Sequence, residues 1–161
     1  MSAPVITDGM VDIIRRAALS FVATINPDGS PNLSPKASLM ARGDMLYFAD
    51  IASPRTISNL QRNPAIAINV VDIFSRRGYR FSGEAEVIGP QDPDFSPVAE
   101  WVWSVNGREY PVNHVVRIHV REALPVLSPA YVFGQNTKEE DLRQTYLAKY
   151  GAAAPARKPA P

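Results

Sequence analysis

The feature that most restricts the fold of this chain is a change of period after residue 19. The stretch "SFVATINPDGSPNLSPKASLM" (residues 20–40) is a series of strand-length segments separated by turn residues, and that pattern does not fit on a helix. Ser20 to Ile25 reads as one strand, Asn26-Pro27-Asp28-Gly29 as a turn, and Pro31 to Met40 as the returning strand. "ARGD" at 41–44 is the next turn, and Met45 to Ala49 the third strand. The expectation is an antiparallel meander of three consecutive strands.

The flanking segments add helices and longer strands. Asp8 is placed to cap a helix to about Ala18, with Val11, Ile14 and Ala18 on one face and Arg15 and Arg16 toward water. A short helix from Pro54 to Arg62 is stopped by Asn63-Pro64, and strands follow at 65–71 and from Tyr79 to Ile88. Asp92 or Asp94 starts a helix through Trp103, and residues 113–127 open on a strand in which Arg117, His119 and Arg121 alternate with Val116, Ile118 and Val120. Thr137 and Glu140 form a capping-box pattern for a last helix. The sum is an α+β protein of six or seven strands with short flanking helices, arranged as a closed or nearly closed antiparallel barrel.

With 161 residues, 45% of them hydrophobic and 20% charged, the chain supports one domain with a core, assigned to residues 1–150. The segment "GAAAPARKPAP" (151–161) reads as a disordered Ala/Pro-rich tail. A formal net charge of +1 without a cationic cluster argues against nucleic acid or an anionic membrane as partner. The absence of cysteine excludes disulfides, thiolate metal sites and a cysteine nucleophile. The N-terminus lacks a signal-peptide pattern, and apolar runs such as Ala65 to Ile68 fall far short of the ~20 residues needed to span a bilayer. A cytoplasmic protein is expected.

Motifs for hydrolysis, nucleotide loops and metals are missing. His114 and His119 are five apart on an expected strand and project to opposite faces, so no zinc site is expected. The acids of "GPQDPDF" (89–95) are most simply helix caps and dipole partners. Trp101 and Trp103, two apart on a helix, cannot share a face; one belongs to the core, and the other is free to cover a ligand or partner.

Two segments carry possible chemistry. "SPRT" (53–56) puts Pro54, Arg55 and Thr56 in the first turn of a helix, where unpaired N–H groups attract anions; it is either a plain cap or a phosphate site. "SPKASL" (34–39) puts Ser34, Lys36 and Ser38 on one strand face beside Pro35, either an exposed edge or a reader of a polar ring.

Together, "ATINPDGSPNLSPK", "YFAD", "SPRTISNLQRNPAIAINV" and "GYRFSGEAEVIG" resemble the successive signatures of the pyridoxamine 5'-phosphate oxidase-like FMN-binding split barrels, over about residues 18–90. The resemblance implies FMN bound across a homodimer interface, its phosphate held by Arg55 and Thr56, with Asn59 tying the helix to the barrel. It implies a flavin ring lying along Ser34, Pro35, Lys36, Ala37 and Ser38, lined also by Phe48 and Ala49, and approached by Gly78 and Tyr79. It departs from the true oxidase in the late helix, where the tyrosine, arginine and serine that hold the substrate phosphate have no counterparts, and in the ending "ARKPAP". The implied function is an FMN-dependent oxidoreductase acting on a small molecule or nicotinamide donor, its catalytic residues unassigned. The alternatives are a non-catalytic FMN-binding electron carrier, or a barrel that has exchanged FMN for a deazaflavin or haem.

Overall fold

The expected strands form, except that the one expected from Pro31 to Met40 is divided in two, and they do not pair in the expected order. The computed structural model describes residues 5–152. Its strands are β1 (Ser20–Ile25), β2 (Pro31–Lys36), β3 (Met40–Arg42), β4 (Met45–Asp50), β5 (Ala65–Asp72), β6 (Arg77–Ile88) and β7 (His114–Leu127). All pairings are antiparallel, in one sheet of order β2-β1-β5-β6-β7-β4-β3. The sheet is unclosed, with β2 and β3 as its edges, which is the α+β split barrel anticipated from the sequence.

The meander is corrected. The strand expected from Pro31 to Met40 is broken at Ala37-Ser38-Leu39, and its halves pair at opposite ends of the sheet. Proline without an N–H is tolerated on an edge, which is where Pro35 lies. Beyond it, side chains replace the ladder: Ser20 Oγ donates to the Lys36 carbonyl at 3.0 Å, and Ser38 Oγ accepts from the Ala49 N–H at 3.0 Å. Leu39 is buried as the chain crosses.

The core collects on the inner face, where Val22, Phe48, Ile68, Phe81 and Ile118 are almost fully buried. Helix α1 (Asp8–Ala17) adds Ile13 and Ile14; its cap is Thr7, whose hydroxyl accepts the Met10 N–H, rather than Asp8. Helix α2 (Pro54–Arg62) contributes Ile57 and Leu60. Helix α3 (Phe95–Asn106) closes a second cluster with Tyr47, Ile88 and Val115. Asp92 and Asp94 do not act as caps for α3 as expected: no side chain caps it, and the two acids bind Arg117, with Asp94 also accepting from Tyr47 Oη at 2.9 Å.

Strand β7 extends beyond its apolar half because residues 122–127 pair with Arg77 to Ser82 of β6. A short helix, α4 (Pro129–Phe133), follows. The last helix, α5 (Glu139–Lys149), lacks the expected capping box, since Lys138 is at its N-cap and no side chain caps it. None of its residues is buried. Charge and aromatic contacts hold it instead: Glu139 pairs with Arg16 at 2.8 Å and Arg77 at 2.7 Å, and Arg143 reaches the buried Asp72 at 3.2 Å. The expected tail lies outside the described residues from 153 onward.

The bond from Arg16, opposed by burial and joined by the bond from Arg77, holds the Glu139 carboxyl below its usual range. Glu139→Gln therefore loosens α5 first. Amide exchange across 139–149 is expected to accelerate, more at low salt than at high salt, while global stability falls by only about 0.5–1 kcal/mol. Unchanged exchange in α5 would show that these ion pairs do not hold it.

Candidate functional site

The candidate site begins where β4 ends. Pro54 occupies the first turn of α2, and Ser53 before it has a backbone conformation of φ −130°, ψ 58°. The Ser53 hydroxyl does not cap the helix; both its N–H and Oγ donate to Asp50 Oδ1 at 2.9 Å. The first turn of α2 is thus left without a side-chain cap, with an exposed Arg55 beside it. Among the described residues no acid pairs with Arg55.

Thr56 is turned the other way. It is buried, and its Oγ1 accepts from Asn32 Nδ2 at 3.4 Å. The same Asn32 amide donates to Thr24 Oγ1 at 3.1 Å, and Asn59 Nδ2 donates to Thr24 Oγ1 at 3.1 Å and Asn26 Oδ1 at 3.0 Å. Asn59 ties α2 to the barrel as expected. The Thr56 hydroxyl belongs to that tie, and its backbone N–H to the open first turn.

On β2 the register puts Asn32, Ser34 and Lys36 opposite Thr24, Val22 and Ser20, all on the inner face. Lys36 is 8% exposed. Its Nζ donates to Ser34 Oγ at 2.6 Å and the Pro35 carbonyl at 3.3 Å, and lies 5.6 Å from the Phe48 ring centroid. Burial lowers the Lys36 pKa, opposed by the charge of Asp50. Ser38 is not in the strand; it is hydrogen-bonded to the backbone of Ala49. Pro35 and Ala37 are exposed.

The fold thus brings Ser34, Lys36 and Phe48 together, joins Ser38 to Ala49, and links Thr56 to the same β2 face through Asn32. Gly78 and Tyr79 are not in that group. Tyr79 pairs with Val70, Val70 with Ser20, and Ser20 with Lys36, so Tyr79 is three strands from Lys36, about 14 Å across the sheet. Gly78 answers to packing, because a Cβ there would strike the Val70 carbonyl oxygen.

Asp50 was not singled out by the sequence. It is 4% exposed, and its Oδ2 is 3.1 Å from His114 Nδ1. The β4–β7 register that pairs Asp50 with His114 makes the contact; an acid closing an apolar strand just before Ser-Pro was the available signal. Burial pushes the Asp50 carboxyl up, but bonds from His114 and Ser53 outweigh it and leave it below the usual range. A cavity of about 460 Å³ opens beside this cluster, lined by Asp50, Ser53, Pro54, Ile57, Asn113 and His114. His119 is exposed, and among the described residues no three His, Cys, Asp or Glu side chains gather as metal ligands.

A larger cavity, about 600 Å³, lies between α1 and α3, with Lys36 and Ala37 in its wall. The two tryptophans divide there: Trp103 packs on the second core cluster and donates from Nε1 to the Tyr110 carbonyl at 2.9 Å, while Trp101 lines the cavity.

Comparison with known proteins defines the class. The model of the pyridoxamine 5'-phosphate oxidase family matches residues 6–133, and the chain belongs to that family. HupZ of Group A Streptococcus is 31% identical, with a TM-score of 0.67 over 76% of this chain and 95% of that one. A putative pyridoxamine 5'-phosphate oxidase of Lactobacillus delbrueckii (23% identity, TM-score 0.61, 77% and 97% covered) shares the fold. So does an FMN-binding protein of Syntrophomonas wolfei (16% identity, TM-score 0.65, 74% and 84% covered). No curated protein matches the chain. Helix α5 lies beyond the matched segment.

Asp50→Asn tests the junction. Because the folded pKa of Asp50 is depressed, its contribution is present above the unfolded value of about 3.9 and is lost as pH falls through the folded one. The variant is expected to be less stable by about 1–2 kcal/mol at pH 7, with the gap narrowing below about pH 4. A gap independent of pH in thermal melts would contradict this account.

Proposed function

We propose that the chain is a homodimeric FMN-binding oxidoreductase, passing hydride or electrons between a small-molecule or nicotinamide donor and an acceptor. The observation that carries this reading is Lys36: a buried ammonium bonded only to neutral oxygens, at one end of a β2 face whose other end meets α2 through Asn32 and Thr56. A buried cation that forms no ion pair, with Asp50 acting on it only at longer range, is costly unless a ligand supplies electron density. The uncapped first turn of α2 with the free fork of Arg55 suits a phosphate. These residues fit the group.

In this reading Arg55 and the N–H groups of the α2 first turn hold the phosphate, and Thr56 acts through its backbone while its hydroxyl fixes the helix. Ser34, Pro35, Lys36, Ala37 and Ser38 border the ring, with Phe48 and Ala49 behind them. FMN, when bound, supplies the redox chemistry; Lys36 biases it by favouring negative charge near its Nζ. Gly78 and Tyr79, three strands away within one protomer, serve the site only through a second copy of the chain.

Pyridoxamine phosphate is not the proposed substrate, because α3 carries serines but neither the tyrosine nor the arginine expected to hold it. A deazaflavin is the second reading, supported by the fold shared with an F420 reductase (20% identity, TM-score 0.58). FMN is favoured because the longer deazaflavin calls for a more basic groove, and of Arg76, Arg77 and Arg80, the arginines that could form one, two are engaged with α5: Arg77 by Glu139, and Arg76 over the Tyr146 ring at 4.6 Å.

The purified chain is expected to bind FMN, read from the absorbance and mass of the released cofactor. Arg55→Ala should weaken binding about 10- to 100-fold. Lys36→Met should retain FMN and lower its reduction potential; an unchanged potential would remove Lys36 from this role. Rapid reduction of the bound flavin by a nicotinamide favours the enzyme over the carrier. A chain that takes up no FMN defeats both.

A further inference from the structure

We propose that the 600 Å³ cavity between α1 and α3 is a binding site for an apolar small molecule bearing one carboxylate. This rests on the flavin reading for its chemical purpose, since Lys36 and Ala37, assigned to the ring, form part of the cavity wall.

The volume is that of a small-molecule pocket, which commonly measures roughly 300–1,000 Å³. Its walls are chiefly apolar, from Ile14 and Val11 on α1, Leu39 at the crossover, Met40 at the start of β3, and Val70 on β5. Trp101 supplies the one aromatic surface, and its indole N–H has no acceptor among the described residues. The charge is one-sided. Arg15 and Lys36 both line the cavity, no aspartate or glutamate does, and among the described residues neither cation forms an ion pair, Asp50 acting on Lys36 only at longer range. Asp12, the nearest acid in sequence to Arg15, is bound to Arg16 Nε at 3.0 Å. Arg15 is exposed and Lys36 buried. A ligand placing its carboxylate on the Arg15 fork and its apolar body inward, against Trp101 and Ile14 and toward Ala37, satisfies the Arg15 charge and the apolar walls. That orientation carries the apolar end to the segment assigned to the flavin ring, so the cavity takes the substrate and Arg15 selects it.

The crossover makes the cavity available. Because β2 ends at Lys36 and the chain leaves for the opposite sheet edge, Ala37 and Leu39 of the crossover form a wall together with Met40 and Ala41 at the start of β3. The site is therefore a product of the split.

The test uses the full chain loaded with FMN, with 2-naphthoate as probe and 2-naphthalenemethanol as its neutral counterpart. Calorimetry is expected to show naphthoate binding about tenfold or more tighter than the alcohol. In two-dimensional spectra of 15N-labelled protein, naphthoate should move the Trp101 indole resonance and leave that of Trp103, anchored to the Tyr110 carbonyl, in place. Arg15→Gln, a change at an exposed position, should remove the preference for the anion while keeping alcohol binding. Equal affinity for the two probes, a preference that survives Arg15→Gln, or an unmoved Trp101 resonance would overturn the proposal. FMN content is read separately from visible absorbance. Bound FMN without naphthoate preference sinks this inference alone, and naphthoate preference without FMN sinks the flavin reading alone.

Discussion

The structure depends on how the chain crosses from β2 to β3. A strand that ends must give its backbone groups other partners, because leaving them buried and unpaired costs about as much as a lost hydrogen bond. Two serines solve this: Ser20 binds the last carbonyl of β2, and Ser38 takes the Ala49 N–H on β4. The second bond is the more consequential, since it fastens the crossover to the strand that leads into Asp50 and the α2 turn. One hydroxyl thereby fixes the distance between the Lys36 end and the Arg55 end of the candidate site.

A second constraint orients α2. The helix contributes Ile57 and Leu60 to the core, but apolar contacts alone leave rotation about its axis weakly specified. The amides of Asn32 and Asn59 converge on Thr24, and Asn32 reaches Thr56. Buried polar networks of this kind are costly when half satisfied and specific when complete. With Thr56 and Asn59 inward, Arg55 is left outward on an uncapped turn. The hydroxyl expected beside a phosphate is thus the group that points the arginine.

The positions of the elements were largely legible in the sequence, whereas their partners were not. Periods of two and 3.6 marked β1, β5, β6, α1 and α2 nearly to the residue, because each packs a single face on one core. The break at Ala37 to Leu39 left no trace in the alternation, since Leu39 and Met40 continue to bury apolar surface after the ladder has ended. Pro35 was the local sign of an edge. Which edge, and that β3 lies six strands away, follows from long-range pairing that no window of residues contains. For the candidate site, the resemblance pointed to Arg55, Lys36 and Ser38. Asp50 escaped because its role arises from register with His114, 64 residues further on.

Net charge concealed the electrostatic layout. A formal total of +1 argued against nucleic acid and an anionic membrane as partners, but the total is an average over differently treated groups. Arg16, Arg77, Arg117 and Arg143 are spent on Asp72, Glu86, Asp92, Asp94 and Glu139, holding α5 to α1 and the β5–β6 turn and joining β7 to the start of α3. Paired charges of opposite sign cancel within a Debye length of about 8–10 Å. Lys36, Arg55 and Arg15 form no ion pair among the described residues, so these three cations are left free of direct neutralisation. Single unpaired cations of this kind suit the small anions proposed for these sites, whereas nucleic acid or an anionic membrane would require a continuous basic face.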